Sequence, residues 1–177
     1  MENIILKRFK ESSEVKTRFL KENLPKLLDV IKLISHTFES GNKLFFFGNG
    51  GSAADAQHMA AEFVNRYIMN RPPLPAIALT TDTSILTSVS NDFAFSEIFA
   101  KQLRALGKER DVAIGITTSG NSPNIIKAFE VAKEMGMKTV AFTGNDGGTI
   151  GKMVDFSLVV PSTSTPRIQE AHILIGH

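Results

Sequence analysis

Apolar positions along the chain follow two different periods. Over residues 1–40, Ile5, Phe9, Phe19, Leu20, Leu27, Leu28, Ile31, Ile34 and Phe38 recur among charged residues at helical spacing, and Pro25 is the only breaker. That spacing predicts one long amphipathic helix or two abutting ones, ended by Gly41-Asn42. Beyond it, short apolar runs at Leu44–Phe47, Ala76–Leu79, Val112–Ile116, Thr139–Phe142 and Phe156–Val160 predict strands. Helical patterns lie between them: Ser52 to about Asn70, near Thr83–Ser90, near Phe95–Leu106, Pro123–Met135, and from near Pro166, with a short turn or helix after Asn145. Five short strands alternating with helices predict an α/β fold, a five-stranded parallel sheet sandwiched by helices. No repeat or linker divides the 177 residues, so they read as one domain: an N-terminal helical extension over 1–40 and an α/β core over 41–177. The segment Arg167–His177 has helical composition without a closing cap, which reads as a helix cut before its end.

The extension carries a surplus of apolar side chains. Ile4, Leu6, Val15, Leu24, Val30 and Leu33 join those above, more than one stripe against a sheet requires, and contact with other copies is the simplest burial for the excess. We therefore expect a homo-oligomer assembled through residues 1–40. Removing them should abolish activity together with assembly.

Charge excludes several classes. Twenty Lys and Arg against eighteen Asp and Glu leave a formal +2 with no basic cluster, so no nucleic-acid partner is expected. No apolar run approaches the length of a membrane span, and Met1–Lys10 is charged rather than a leader; the expected setting is soluble and cytoplasmic. With no cysteine, thiolate catalysis and disulfides are excluded, and any metal must be held by His, carboxylate or amide groups.

Two loops have the chemistry of anion sites. Gly48-Asn49-Gly50-Gly51-Ser52-Ala53 joins an apolar strand to a helix; its glycines allow close approach of a ligand, and the helix start offers free N–H groups. It also fits the dinucleotide pattern G-x-G-x-x-A, with Asp82 as the ribose acid, but it is no Walker loop because no Gly-Lys-Ser/Thr follows. A tight turn without ligand is the plainer alternative. Thr117-Thr118-Ser119-Gly120-Asn121-Ser122 is the second loop, four hydroxyls at a strand-to-helix junction suited to a phosphate monoester. Capping of the next helix accounts for Ser122 alone and leaves the other three hydroxyls unexplained. Both loops end neighbouring strands and should face one crevice.

Two further clusters carry titratable groups. His58 and Glu62 stand at i and i+4 on one helix face, among Met59, Ala60, Ala61, Phe63 and Val64, so both are expected to be buried or at an interface, where a carboxylate gains basicity. Gln169, His172 and His177 lie on the last helix. Gln169 and His177 are ~12 Å apart along it, so one ion could join them only through stretched side chains or through two subunits.

Taken together, GNGGSAADAQHMAAEF (48–63), RPPLPAIAL (71–79), Asn91-Asp92-Phe93, TTSGNSPNIIKA (117–128), FTGNDGG (142–148) and RIQEAHILIGH (167–177) resemble the sugar isomerase (SIS) domain family, and within it the phosphoheptose isomerases. The resemblance spans nearly the whole chain. It implies an aldose–ketose isomerase that converts sedoheptulose 7-phosphate to D-glycero-D-manno-heptose 7-phosphate, the first step toward the ADP-heptose of lipopolysaccharide. Substrate contacts fall by this resemblance on Asn49, Gly50, Gly51, Ser52, Asn91, Asp92, Thr117, Thr118, Ser119, Ser122 and Gln169. Glu62 and His177 become the acid/base pair, and zinc is held by His58, Glu62, Gln169 and His177. No nucleotide cofactor is implied, and the assembly is a homotetramer with sites at subunit contacts. Thr117 stands where relatives often have Ser, which keeps the hydroxyl. A non-catalytic adaptor that associates with a replication initiator shares the glycine loop, PAIAL and RIQE but lacks the acid/base pair, and is the alternative.

Overall fold

The computed structural model describes all 177 residues. Helix α1 runs unbroken over Glu2–Glu39, so the extension is one helix and not two. Pro25 cannot donate to the carbonyl of Lys21, but both residues are exposed, so the orphaned oxygen is open to solvent. The remaining elements are β1 (Leu44–Gly48), α2 (Gly51–Val64), β2 (Ala76–Ala78), α3 (Thr83–Asp92), a 3₁₀ turn (Phe95–Glu97) leading into α4 (Ile98–Leu106), β3 (Val112–Ile116), α5 (Pro123–Glu134), β4 (Lys138–Gly144), α6 (Ile150–Met153), β5 (Phe156–Val160) and α7 (Thr165–Gly176). The strands form one parallel sheet in the order β2-β1-β3-β4-β5.

Strand alternation divides the apolar residues between two layers. Leu44 and Phe46 of β1, with Ile114, Phe142 and Leu158, meet Val15, Phe19 and Val30 of α1, Met59 of α2 and Ile168 of α7. Phe45 and Phe47 face the other side with Phe99, Leu103, Ile125 and Phe129 from α4 and α5. Helix α1 is therefore part of the core. Deleting residues 1–40 would uncover a sheet face as well as any contact between copies. Its outer side still exposes Ile4, Ile5, Leu6, Phe9, Leu20, Leu24, Leu28 and Ile31, the surplus read from the sequence.

Helix α2 ends at Val64 rather than near Asn70. The Arg71 guanidinium donates to the carbonyls of Glu62 at 2.8 Å and Phe63 at 2.7 Å, and Leu74 N–H also donates to Phe63 O. These donors close the last turn, and Pro72-Pro73 excludes further helix.

Helix α7 is pinned by His172, which is fully buried and donates from Nε2 to the Thr143 carbonyl at 3.0 Å. Burial pulls its pKa down to about 4, against the carbonyl bond, which raises it. The unfolded imidazole titrates near 6.5, so below that pH the unfolded chain binds a proton that the native chain refuses until about pH 4. Stability should fall by about 2 kcal/mol between pH 7.5 and 5 from this group alone. Thermal midpoints across that range test it: a His172→Leu variant should lack this part of the slope, and an unchanged slope would contradict the assignment.

Candidate active site

The order of strands reverses between β1 and β3, and the loops after these two strands face each other there, at the switch point where open α/β sheets bind ligands. Gly50 takes φ +57°, a conformation open to glycine, and α2 starts directly after it. Ser52 N–H donates to Asn49 O and Ala53 N–H to Gly50 O, which leaves the amides of Gly50 and Gly51 without a protein acceptor. Ser52 is buried at this start, and Gln169 of α7 reaches it: a Cβ on Gly51 would come within 2.7 Å of Gln169 Nε2.

In the second loop the hydroxyls converge. Thr117 Oγ1 lies 3.2 Å from Ser122 Oγ and 3.5 Å from Ser119 Oγ. Ser122 precedes α5, but its hydroxyl caps nothing and meets only the Thr117 hydroxyl. Thr118 is half-buried beside them, and Ser119 opens onto a polar cleft of about 930 Å³ shared with Asn121, Asn145, Asp146, Ser162 and Arg18. Asp82 is the N-cap of α3, its carboxylate accepting the Ile85 amide at 2.9 Å, which gives this acid a structural role. Asn91 and Asp92 are exposed at the end of α3 and hydrogen-bond each other, 2.9 Å from Asn91 Nδ2 to Asp92 Oδ1, without reaching either loop.

A second constellation lies further along α2. Glu62 Oε1 stands 3.0 Å from His58 Nε2 and 3.6 Å from His177 Nε2, and the three ligand atoms lie within 4.8 Å of one another. Neither α2 side chain is buried within the single chain: His58 is 49% and Glu62 21% exposed, which leaves an interface as the remaining form of the expectation. Met59 and Ala60, with Phe63, turn inward to the sheet, while Ala61 and Val64 are exposed and, like the i, i+4 pair, lie outside the core. Tyr67, the one tyrosine in the chain, stacks on His177 with ring planes 2° apart and centroids at 5.1 Å. On the same helix, burial raises the Asp55 carboxyl above its ordinary value, opposed by the nearby His58. The four residues named for zinc are thus divided within one chain: three converge, and Gln169 stands at the glycine loop. His172, the other histidine of α7, belongs to the core.

Sequence reasoning missed Tyr67, Arg71 and Asn124. Arg71 was visible as a cation just before Pro72-Pro73, placed to cap a helix; nothing local marks the other two.

The chain thus combines an open parallel sheet, two anion-type loops at its switch point, and a His/Glu/His cluster further along α2. The SIS domain model matches residues 8–144. Over 177 residues the chain is 52% identical to the phosphoheptose isomerase of Thermodesulfovibrio yellowstonii, covering 100% of this chain and 88% of that protein. It is 53% identical to that of Sulfurimonas denitrificans over 179 residues, covering 100% and 92%. Its fold superposes on the structure of a phosphoheptose isomerase from Francisella tularensis with a TM-score of 0.95 at 42% identity, covering 99% of this chain and 93% of the other. The chain belongs to the phosphoheptose isomerase family of SIS-domain proteins. It is an enzyme of the isomerase class.

Proposed function

We propose that the chain interconverts sedoheptulose 7-phosphate and D-glycero-D-manno-heptose 7-phosphate, the entry to ADP-heptose for lipopolysaccharide, in the cytoplasm. The observation that carries this is the Glu62 carboxylate set between two imidazoles, 3.0 Å from His58 and 3.6 Å from His177, in a chain that also presents four hydroxyls at a helix start. The hydroxyl loop and the start of α5 hold the phosphate. Glu62 takes the proton from C1 of the open-chain ketose and returns it to C2 of a cis-enediol, while His177 moves protons among O1, O2 and the ring oxygen. The substrate contacts implied for Asn49, Gly50, Gly51, Ser52 and Gln169 gather at the same end of the sheet as the hydroxyl loop.

One chain supplies these parts at two distant places. Gly51 and Glu62 are eleven residues apart on α2, or ~16 Å at helical rise, so the glycine loop and the acid/base pair stand at opposite ends of that helix. The anion loops of one copy and the acid/base pair of another then complete each site, which supports a homotetramer built on the exposed apolar face of α1. Asn91 and Asp92, isolated in one chain, join the substrate in the same way. No helix of the chain is long and apolar enough to cross a membrane.

Two imidazoles and a carboxylate suit Zn²⁺. His58, Glu62 and His177 would hold it, with Gln169 of a neighbouring copy as the fourth ligand, and the ion supplies Lewis acidity at the substrate carbonyl. A carboxylate bound to zinc is a weaker base, so metal and proton transfer compete for Glu62. The adaptor alternative is not favoured, because both acid/base residues that it lacks are present here.

A panel of ketose phosphates of five to seven carbons tests the proposal, with metal content and light scattering on the same sample. We expect turnover of the seven-carbon substrate above the others and a particle of four chains of 19.3 kDa. A monomer with full activity, or no isomerisation of any sugar phosphate, would overturn it.

A further inference from the structure

The glycine loop and the hydroxyl loop are joined by one pair of side chains. Asn49 Nδ2 donates to Asn124 Oδ1 at 2.9 Å, and Asn124 Nδ2 donates back to Asn49 Oδ1 at 2.8 Å. Asn49 follows β1 and Asn124 is the second residue of α5, so the pair bridges 75 residues of chain. Asn124 is 2% exposed, whereas Asn49 is half-buried and borders the crevice.

A carboxamide offers two N–H donors and one oxygen with two lone pairs. Reciprocal pairing spends one donor and one lone pair on each side, and the two bonds together fix the rotation of both amide planes. What remains on Asn49, one N–H and one lone pair, must point away from Asn124. Asn124 itself touches no ligand, being sealed beneath the first turn of α5. A leucine would fill the same volume without needing a partner, but it could not hold the Asn49 amide.

We infer that Asn124 is a positioning residue for the isomerase site. It orients the Asn49 carboxamide toward substrate and sets the spacing between the two anion-binding loops, so that one ligand is gripped by both. The inference rests on the proposed function in assigning Asn49 to substrate. The pairing itself is independent of it.

The test is a double-mutant cycle in the full-length protein: Asn124→Leu, Asn49→Ala and the two combined. The readouts are KM and kcat for sedoheptulose 7-phosphate, the dissociation constant of inorganic phosphate by calorimetry, and the thermal midpoint. For Asn124→Leu we expect KM and the phosphate dissociation constant to rise about tenfold, as for a lost hydrogen bond, with kcat within about threefold of wild type. In the Asn49→Ala background the same substitution should change neither constant further. Asn124→Asp keeps an acceptor for Asn49 Nδ2 but sets a carboxylate oxygen against Asn49 Oδ1, so it should group with the leucine variant. If Asn124→Leu does not fold, Asn124→Ser enters the cycle in its place. A lowered thermal midpoint with KM and phosphate affinity unchanged would overturn the inference and leave Asn124 a structural staple. Effects that simply add to those of Asn49→Ala would overturn it too. If the wild-type protein fails to turn over the heptulose phosphate, the proposed function falls, and the phosphate titrations still decide the role of Asn124.

Discussion

Glu62→Gln is expected to lower kcat by about 10²–10⁴-fold while the protein stays folded and assembled, because that is the usual cost of losing a general base. The glutamine keeps the shape of the side chain and an oxygen for the two imidazoles, but its amide cannot accept the C1 proton. Fold should survive because the carboxylate is 21% exposed and its partners, His58 and His177, are both on the surface of α2 and α7. The Glu62 carbonyl, held by Arg71, is untouched by the change, so the end of α2 stays closed. Binding should change little: KM within a few-fold of wild type would show that the lost interaction belongs to the transition state. A Glu62→Gln enzyme turning over near the wild-type rate would remove Glu62 from the acid/base role.

Gly120→Ala should be the most damaging single methyl in the hydroxyl loop. Gly120 has φ +67°, and a Cβ there would stand 2.0 Å from the Gly147 carbonyl oxygen and 2.9 Å from the Gly148 nitrogen. Both are backbone atoms of the β4–α6 turn, which is itself tied to the loop through Ile150 N–H to Gly120 O and Thr149 to Asn121 Oδ1. No side chain can swing aside. Left-handed backbone strain and overpacking together cost on the order of 3 kcal/mol, a fall in thermal midpoint of roughly 6–12 °C for a chain of this size. The converging hydroxyls of Thr117, Ser119 and Ser122 would also be pushed apart, so phosphate binding should be lost in the fraction that folds. Gly41→Ala is the control: its φ is +74°, but a Cβ there meets nothing within 4 Å, and only the backbone strain of about 1 kcal/mol should appear. Equal midpoints for the two variants would show that the loop yields, and that the close approach to Gly147 is not what holds it.

Much of the architecture was legible in the order of residues. Strand runs such as Leu44–Phe47 are apolar throughout because both faces of the sheet are covered, and that, with helical periods between them, is enough to predict a parallel sandwich. The glycine and hydroxyl loops were legible for a similar reason, since a strand-to-helix turn at the carboxyl end of a parallel strand is a local event. The spacing of His58 and Glu62 on one face is likewise a property of one helix. Whether that face is covered is not: within the chain α2 turns Ala56, Met59 and Ala60 to the sheet and leaves His58 and Glu62 outside the core.

Residue order by itself determined the sheet, the two anion loops and the helical pair, because each depends on neighbours within a few residues. Only the tertiary structure decided what lies against what. The packing of α7 alongside α2 brings His177 to Glu62 and sets Gln169 at Gly51, dividing a ligand set that the sequence lists together. The reversal of strand order between β1 and β3 places Asn49 against Asn124 across 75 residues, and a surface loop lays Tyr67 flat on His177. Such contacts depend on how the crossovers and helix packing set whole elements against one another, and no periodicity along the chain encodes a distance between residues that are remote in it.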